Sequence, residues 1–476
     1  MSSLPPQPCR CLIAIMVIVC SDTLNAAEQR PNVLLIVSDD QRPDTIHALG
    51  NDIIQTPTLD GLVNEGAAFT RAACANPICT PSRAEILTGC TGFRCGVMDF
   101  GKPIDSQVPT LARWFAAAGY TTSYVGKWHN DGRPTERGYD FTKGLFRGGG
   151  AKFWTPQQDF AGRPVTGYRG WIFQDDAGNL FPEKGVGLTP DISRHFADAA
   201  IEIIQSQRNK PFLLHVNFTS PHDPLLLPPK WETTYKPDEM RLPANFLPKH
   251  PFDHGNLEGR DEVLFEWPRT PEETKREIAA YYAVISYMDE QIGRILAALE
   301  AAGELDNTVI VFTSDHGLGV GSHGLRGKQS MYEHTIGVPL LLRGPGIPRQ
   351  QQFAAQCSLR DIFPTLCDLT GIAGPGEKID GKSLKPVLDG TVQQIHPFIT
   401  GYFRDFQRMI RTSEWKYVEY PDARQRQLFH LTSDPDELSN VAGQEATAII
   451  ESRLAAQMRD WFQQQSDPVY PTKPVR

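Results

Sequence analysis

The chain has 476 residues, 40% hydrophobic and 22% charged, with a formal net charge of −9. That length holds a substantial core with room for a second, smaller domain. The acidic balance argues against a nucleic-acid or anionic-membrane binder and leaves room only for a local basic pocket.

The apolar run CLIAIMVIVC (11–20) follows Arg10 and precedes the small residues of TLNAAEQ. It is short for a membrane span, so 1–27 is expected to be a cleaved signal peptide with no stable membrane insertion. The mature chain is then periplasmic or secreted, or lysosomal in a eukaryote. NVLLIVS (32–38) predicts a buried strand and TPTLDGLVNEG (56–66) a helix. CTPSR (79–83) reads as a helix start, with Thr80 as N-cap, Pro81 at the first helical position and Gly89 as the stop. A thiol at that positively polarised end has its pKa lowered, so Cys79 is a reactive cysteine, a disulfide partner, a metal ligand, or a residue changed chemically before use.

Residues 108–120 predict a helix closed by Gly119, then a strand at 121–125. A helix at 191–207 precedes the buried strand 211–218, and the Pro-rich stretch 223–268 reads as irregular surface that shapes access to a site. Thr270, Pro271 and Glu273 form a capping box for a helix over 271–302, followed by strands at 307–313 and 338–344 and a helix near 360–371. This alternation is that of an α/β fold: a large, mainly parallel sheet sandwiched by helices, over 28–394. From 395 to 476, short alternating strands (RMIRT, KYVEY, RQLFHL) and an amphipathic helix at 443–464 predict a smaller antiparallel sheet plus helix. Six cysteines lie beyond the leader, and Cys90 with Cys95 or Cys357 with Cys367 are candidate disulfides whose connectivity spacing does not decide.

Open parallel sheets bind ligands beyond the carboxyl ends of their strands, and unusual polar residues recur there. Asp39 and Asp40 follow the first strand, and Lys127 and His129 (GKWH) follow the strand at 121–125. His222 and Asp223 (SPHDP) follow 211–218; Asp315 and His316 (SDHG), then His323, Arg326 and Lys328 (GSHGLRGK), follow 307–313. Three carboxylates cannot share a small site unpaired, whereas a hard divalent cation, Ca²⁺ or alternatively Mg²⁺, is suited to Asp39, Asp40 and Asp315, with His316 as fourth ligand or close donor. Lys127, His129, His222 and Lys328 supply positive or hydrogen-bonding groups for a tetrahedral oxyanion. Cation, basic ring and nucleophile together suit sulfuryl or phosphoryl transfer.

CTPSR matches the C-x-P-x-R signature of the type I sulfatases of the alkaline phosphatase superfamily, with Cys79, Pro81 and Arg83 in register. The resemblance runs from residue 31 onward and includes NVLLIVSDD, GKWH, SDHG, GKQSMYE and LFHLTSDPDELSNVAG. SDHG with GSHGLRGK is more similar to iduronate-2-sulfatase and its bacterial relatives than to arylsulfatase A. The resemblance implies that a formylglycine-generating or sulfatase-maturating enzyme oxidises Cys79 to Cα-formylglycine. One hydroxyl of its hydrate attacks sulfur, and the second is deprotonated and expels sulfate. It further implies calcium ligands at Asp39, Asp40, Asp315, His316 and modified Cys79, with Arg83 positioning that residue. Sulfate-binding lysines are implied at Lys127 and Lys328, a release-assisting histidine at His129, and a substrate-side histidine at His222, with the acid for the leaving oxygen at His222 or shared by Lys328.

Arg42, His47, Arg147, His323 and Arg326 lie near the motifs and are candidates for reading a carboxylate or second sulfate on a sugar. The expected reaction is hydrolysis of a sulfate ester on a sulfated saccharide during polysaccharide degradation. The alternative is a phosphomonoester or phosphonate monoester hydrolase of the same superfamily.

Overall fold

The computed structural model describes residues 1–2, 30–206 and 210–471. Residues 3–27 of the expected signal peptide lie outside these. Nine strands form one sheet: β1 (Asn32–Ser38), β2 (Ala67–Ala73), β3 (Thr121–Lys127), β4 (Phe141–Gly148), β5 (Trp171–Gln174), β6 (Phe212–Asn217), β7 (Thr308–Ser314), β8 (Leu340–Arg343) and β9 (Gln351–Ser358). Their order is β5-β4-β3-β6-β1-β7-β8-β2-β9. The central run β4-β3-β6-β1-β7 is parallel, β2 pairs parallel with β9, and β5 and β8 pair antiparallel with their neighbours.

Alternation along β1 sets the layers. Val33, Leu35 and Val37 pack with Leu111, Phe115, Ile362, Phe363 and Leu366 on one face. Leu34 and Ile36 meet Leu59, Ile192, Phe196, Met288, Ile292 and Ile295 on the other. Successive strand side chains point to opposite faces, so a strand apolar throughout must be covered twice. The helices Leu111–Ala117 and Ile362–Leu369 cover one side, and Pro57–Glu65, Ile192–Ser206 and Pro271–Ala301 the other. The longest helix starts at Thr270, whose hydroxyl accepts the Glu273 N–H at 3.2 Å.

A second, antiparallel sheet comprises β10 (Ile399–Phe403), β11 (Gln407–Arg411), β12 (Trp415–Tyr420) and β13 (Gln425–His430), in that order. The helix Ala448–Gln464 packs on it through Leu454, Met458 and Phe462. Among the described residues no helix is long and apolar enough to cross a membrane.

Three expectations need correction. Thr80 is not the N-cap: the helix Cys79–Thr88 is capped by Ile78 in extended conformation, and the Thr80 hydroxyl donates instead to the His129 carbonyl at 2.9 Å. Cys79 is therefore itself the first helical residue, while Gly89 does end the helix at φ 68°. Neither suggested disulfide is present. Cys90, Cys95, Cys357 and Cys367 are free and buried, and burial pushes the Cys95 thiol up to about 12. Strands β2, β4, β5, β9 and β10 were not anticipated. β2 (AAFTRAA) and β9 (QQFAAQCS) are Ala- and Gln-rich, and their pairing comes from the sheet around them rather than from local preference.

Candidate active site

Strands β3, β6, β1 and β7 are sheet neighbours, and each ends in polar residues on the same rim. β1 delivers Asp39 and Asp40, β3 ends in Lys127, β6 leads to His222 and β7 to Asp315 and His316. Backbone ladders hold these ends together: Val37 pairs with Asn217, Gly126 with Asn217 and Ser38 with Ser314. Gly126 is at φ 93°, and a Cβ there would lie 1.9 Å from the Asn217 carbonyl oxygen, so only glycine allows this approach.

The first turn of Cys79–Thr88 projects into this rim. Cys79 is 1% exposed. Its sulfur lies 3.5 Å from Asp39 Oδ1, 3.4 Å from His316 Nε2 and 3.4 Å from Lys328 Nζ. Arg83, one turn on, donates through Nε to Asp315 Oδ2 at 3.0 Å, reaches the Asn217 amide oxygen, and lies 3.4 Å from Asp39 Oδ1. Lys127 Nζ is 2.6 Å from Asp39 Oδ2, and Lys328 Nζ is 2.8 Å from Asp40 Oδ1. Tyr168 also donates to Asp39.

Electrostatics follow from this packing. Burial opposes the Cys79 thiolate, but Lys127, Lys328 and His316 outweigh it and hold the thiol well below its ordinary range. Burial would raise Asp39, yet Lys127 keeps it below the usual carboxylate range. Asp315 is pushed up to about 7 by burial despite Arg83. Burial disfavours a charged His316, but Asp315 and Cys79 raise it to about 9. His129 is lowered to about 4 by burial, so it is neutral at neutral pH. His222 is raised because Asp40 outweighs its burial.

One ligand atom each from Asp39, Cys79, Asp315 and His316 lies within 4.8 Å of the others, and Asp40, Cys79 and His222 form an overlapping group. His316 Nδ1 is 3.0 Å from the Gly317 carbonyl, which leaves Nε2 to face the cluster. Carboxylate oxygens and one imidazole, buried together and otherwise holding protons at Asp315 and His316, fit a hard divalent cation that takes the place of those protons.

Above the cluster is a cavity of about 450 Å³. Cys79, His129, His222 and Lys328 line it, with Phe100, Tyr168 and Trp171 on an aromatic wall and Asn256, Arg260, Asp261, Gln329 and Arg404 among the polar residues.

The five candidate specificity residues do not line this cavity. Arg42 is paired with Asp44 and donates to the Gly319 carbonyl and the Ser322 hydroxyl. His47 bonds the Asn51 carbonyl at the surface. Arg147 is half-buried on β4, near Arg133. His323 stacks on Tyr332 at 3.8 Å, and Arg326 is buried against Glu277 at 2.7 Å. Arg42, His323 and Arg326 are thus taken by the scaffold. Tyr168, Asn217, Arg260 and Asp261 were missed. Asn217 ends a run that reads as buried strand, Tyr168 sits in an irregular segment, and Arg260 and Asp261 open a helix of only four residues, too short to leave a periodic signal.

The sulfatase family model matches residues 31–372, well over half the chain. The chain belongs to the sulfatase family. As a type I sulfatase it is a sulfuric ester hydrolase. A second model, N-sulphoglucosamine sulphohydrolase C-terminal, matches residues 321–464. The ulvan-active sulfatase of Formosa agariphila is 28% identical, with 95% of this chain and 86% of the relative aligned. A solved protein in complex with its substrate D-glucosamine-2-N,6-O-disulfate has a TM-score of 0.74 at 24% identity, covering 92% of this chain and 99% of that one. The phosphonate monoester hydrolase of Agrobacterium radiobacter has a TM-score of 0.76 at 24% identity, covering 93% and 97%. Such likenesses establish the alkaline-phosphatase-like fold, which esterases of sulfur and phosphorus share.

Proposed function

We propose that this sulfatase hydrolyses a sulfate ester on a sulfated saccharide, using formylglycine made from Cys79 and a Ca²⁺ ion held by Asp39, Asp40, Asp315 and His316. The observation that carries this is the convergence of Cys79, Asp39, Asp315 and His316 on one point beneath the cavity. When present, the ion neutralises the sulfate group and the hydrated aldehyde supplies a hydroxyl nucleophile where a thiolate is poorly matched.

The chain's own residues do the rest. Lys127 and Lys328 bring positive charge to the centre, paired with Asp39 and Asp40 respectively. His222 donates its Nδ1–H to the Asp223 carbonyl at 2.6 Å, and Asp40, 3.9 Å from Nε2, favours the imidazolium, whose second proton at Nε2 passes to the leaving oxygen. His129, neutral and beside residue 79, accepts a proton there. Arg83 fixes the first helical turn against Asp315 and Asn217. Tyr168 and Trp171, edge-to-face at 4.9 Å, limit access of water from one side.

The names of the ulvan-active sulfatase and of the glucosamine disulfate complex support a saccharide substrate. The reading implies a maturation enzyme that oxidises Cys79, an exported location, and a catalytic part over 28–394 beside a smaller part over 395–476.

The test is peptide mapping of residue 79, combined with desulfation assays on sulfated oligosaccharides and turnover of matched sulfate and phosphate esters of one alcohol. An aldehyde at position 79, cation-dependent sulfate release and a preference for the sulfate ester are expected. Full activity from protein with an unmodified thiol would refute the mechanism, and faster phosphate turnover would favour the phosphonate-hydrolase alternative.

A further inference from the structure

Among the described residues, three side-chain cations other than histidine line the cavity, and two are committed to buried carboxylates. Arg260 grips Asp223 through two hydrogen bonds of 2.6 and 3.0 Å and also pairs with Asp261; Lys328 is held by Asp40. Arg404 differs. Its Nε donates to Asp99 Oδ2 at 2.8 Å and its Nη2 to Asp99 Oδ1 at 3.3 Å, with the two side chains 41% and 31% exposed. Ion pairs this open to water hold little net energy, so another anion competes readily for the guanidinium.

The backbone draws attention to the same residue. Arg404 lies at φ 42°, in the left-handed region that favours Gly or Asn, on the turn from β10 to β11. That turn is pinned by the Phe406 N–H on the Phe403 carbonyl at 3.1 Å and by Arg408, which donates to the Arg404 carbonyl and is itself paired with buried Asp467. A bulky cation is thus kept at an unfavourable position and aimed at the cavity. Next to Asp99, Phe100 is 43% exposed and lies with its ring 5.5 Å from that of His129. The rim therefore offers a forked cation beside an apolar ring face, which suits a sugar bearing an anion in addition to the sulfate being removed.

We infer that Arg404 is a specificity-determining residue that exchanges Asp99 for a second anionic group, a carboxylate or another sulfate, on the saccharide. The guanidinium fork that now holds two carboxylate oxygens presents the same spacing to either group. Asp99 is then an internal competitor that keeps singly charged substrates from gaining by the contact.

This inference rests on the sulfatase reading above, and its test separates the two. The substrates are three disaccharides with the same scissile sulfate ester: one with no other charge, one with an added carboxylate and one with an added sulfate. The readout is the ratio of KM for the singly charged substrate to KM for each doubly charged one. Arg404→Met is expected to lower that ratio about threefold to fivefold, the upper part of what an ion pair this exposed holds. Asp99→Asn, which retains the acceptor for the Phe100 N–H (2.8 Å), is expected to raise it. A loss with only one of the two doubly charged substrates identifies which anion is read. Equal KM changes on all three substrates, or a fall of the ratio in Asp99→Asn, would overturn the assignment. No turnover of any of the three by the unaltered enzyme would instead overturn the saccharide-sulfatase reading and the inference with it.

Discussion

Replacing Glu262 by glutamine perturbs a carboxylate that water does not reach. Glu262 is 0% exposed, in the short helix Arg260–Val263, and receives three N–H groups. The Arg326 amide donates to Oε2 at 2.8 Å, the Gly327 amide to Oε1 at 2.8 Å, and Arg269 Nη2 to Oε2 at 2.7 Å. A glutamine side chain has one oxygen and one NH₂, so in either orientation a backbone N–H meets another donor and Arg269 loses its charge partner. Leaving a buried N–H unpaired costs about 1–3 kcal/mol, and breaking a buried ion pair about 3–5 kcal/mol. The two losses overlap, so the expected total is about 3–5 kcal/mol, read from the midpoint of urea unfolding at unchanged slope. Because residues 326–327 lead directly into Lys328, KM for a sulfate ester should also rise. Glu266→Gln, on an exposed neighbour, serves as control and should stay within about 0.5 kcal/mol. An E262Q protein as stable as the parent would refute the claim that this carboxylate organises the loop.

Three other outcomes follow from the same geometry. Chelator-stripped protein should gain about 3 kcal/mol of apparent stability at a Ca²⁺ concentration a hundredfold above Kd, and Asp39→Asn should lose most of that gain; equal gains in both would exclude Asp39 as a ligand. His254 is lowered from 6.5 to about 3 by burial, so below pH 6.5 the unfolded chain takes up a proton that the native one refuses, and stability falls as pH falls. The stability difference between the parent and His254→Gln should therefore shrink by about 2 kcal/mol from about pH 7.5 to about pH 5, measured by urea unfolding; a constant difference would contradict the shift. Gly126→Ala should cost more than about 3 kcal/mol or abolish soluble expression, since its Cβ meets the Asn217 carbonyl in a left-handed backbone; normal yield and activity would show that β3 moves freely.

Strands such as Val33–Val37 were legible because a run apolar on both faces has few alternatives to a buried parallel position, and the polar residues just beyond them inherit a common rim. That logic located Asp39, Lys127, His222 and Asp315 without any contact being known. It failed where side chains are neutral about their environment: the alanines of Ala67–Ala73 carry no strand signal, and Tyr168 reaches Asp39 from an irregular stretch. It also erred at Thr80, a good cap whose hydroxyl is recruited by the His129 carbonyl, and at Arg42 and Arg326, where a cation near a motif serves the scaffold. Proximity in sequence to a site says little about which way a long, flexible cation turns.

The four polar strand ends are spaced by peptide hydrogen bonds between β3, β6, β1 and β7, not by the packing of any one side chain. Exchanging a residue in the layers beneath alters stability while leaving that pitch intact. By contrast, a one-residue slip of any of the four would carry its polar group to the opposite side of the sheet. Divergence of this enzyme towards new substrates is thereby channelled to the cavity mouth, where hairpins and loops can be exchanged over a floor whose dimensions the backbone dictates.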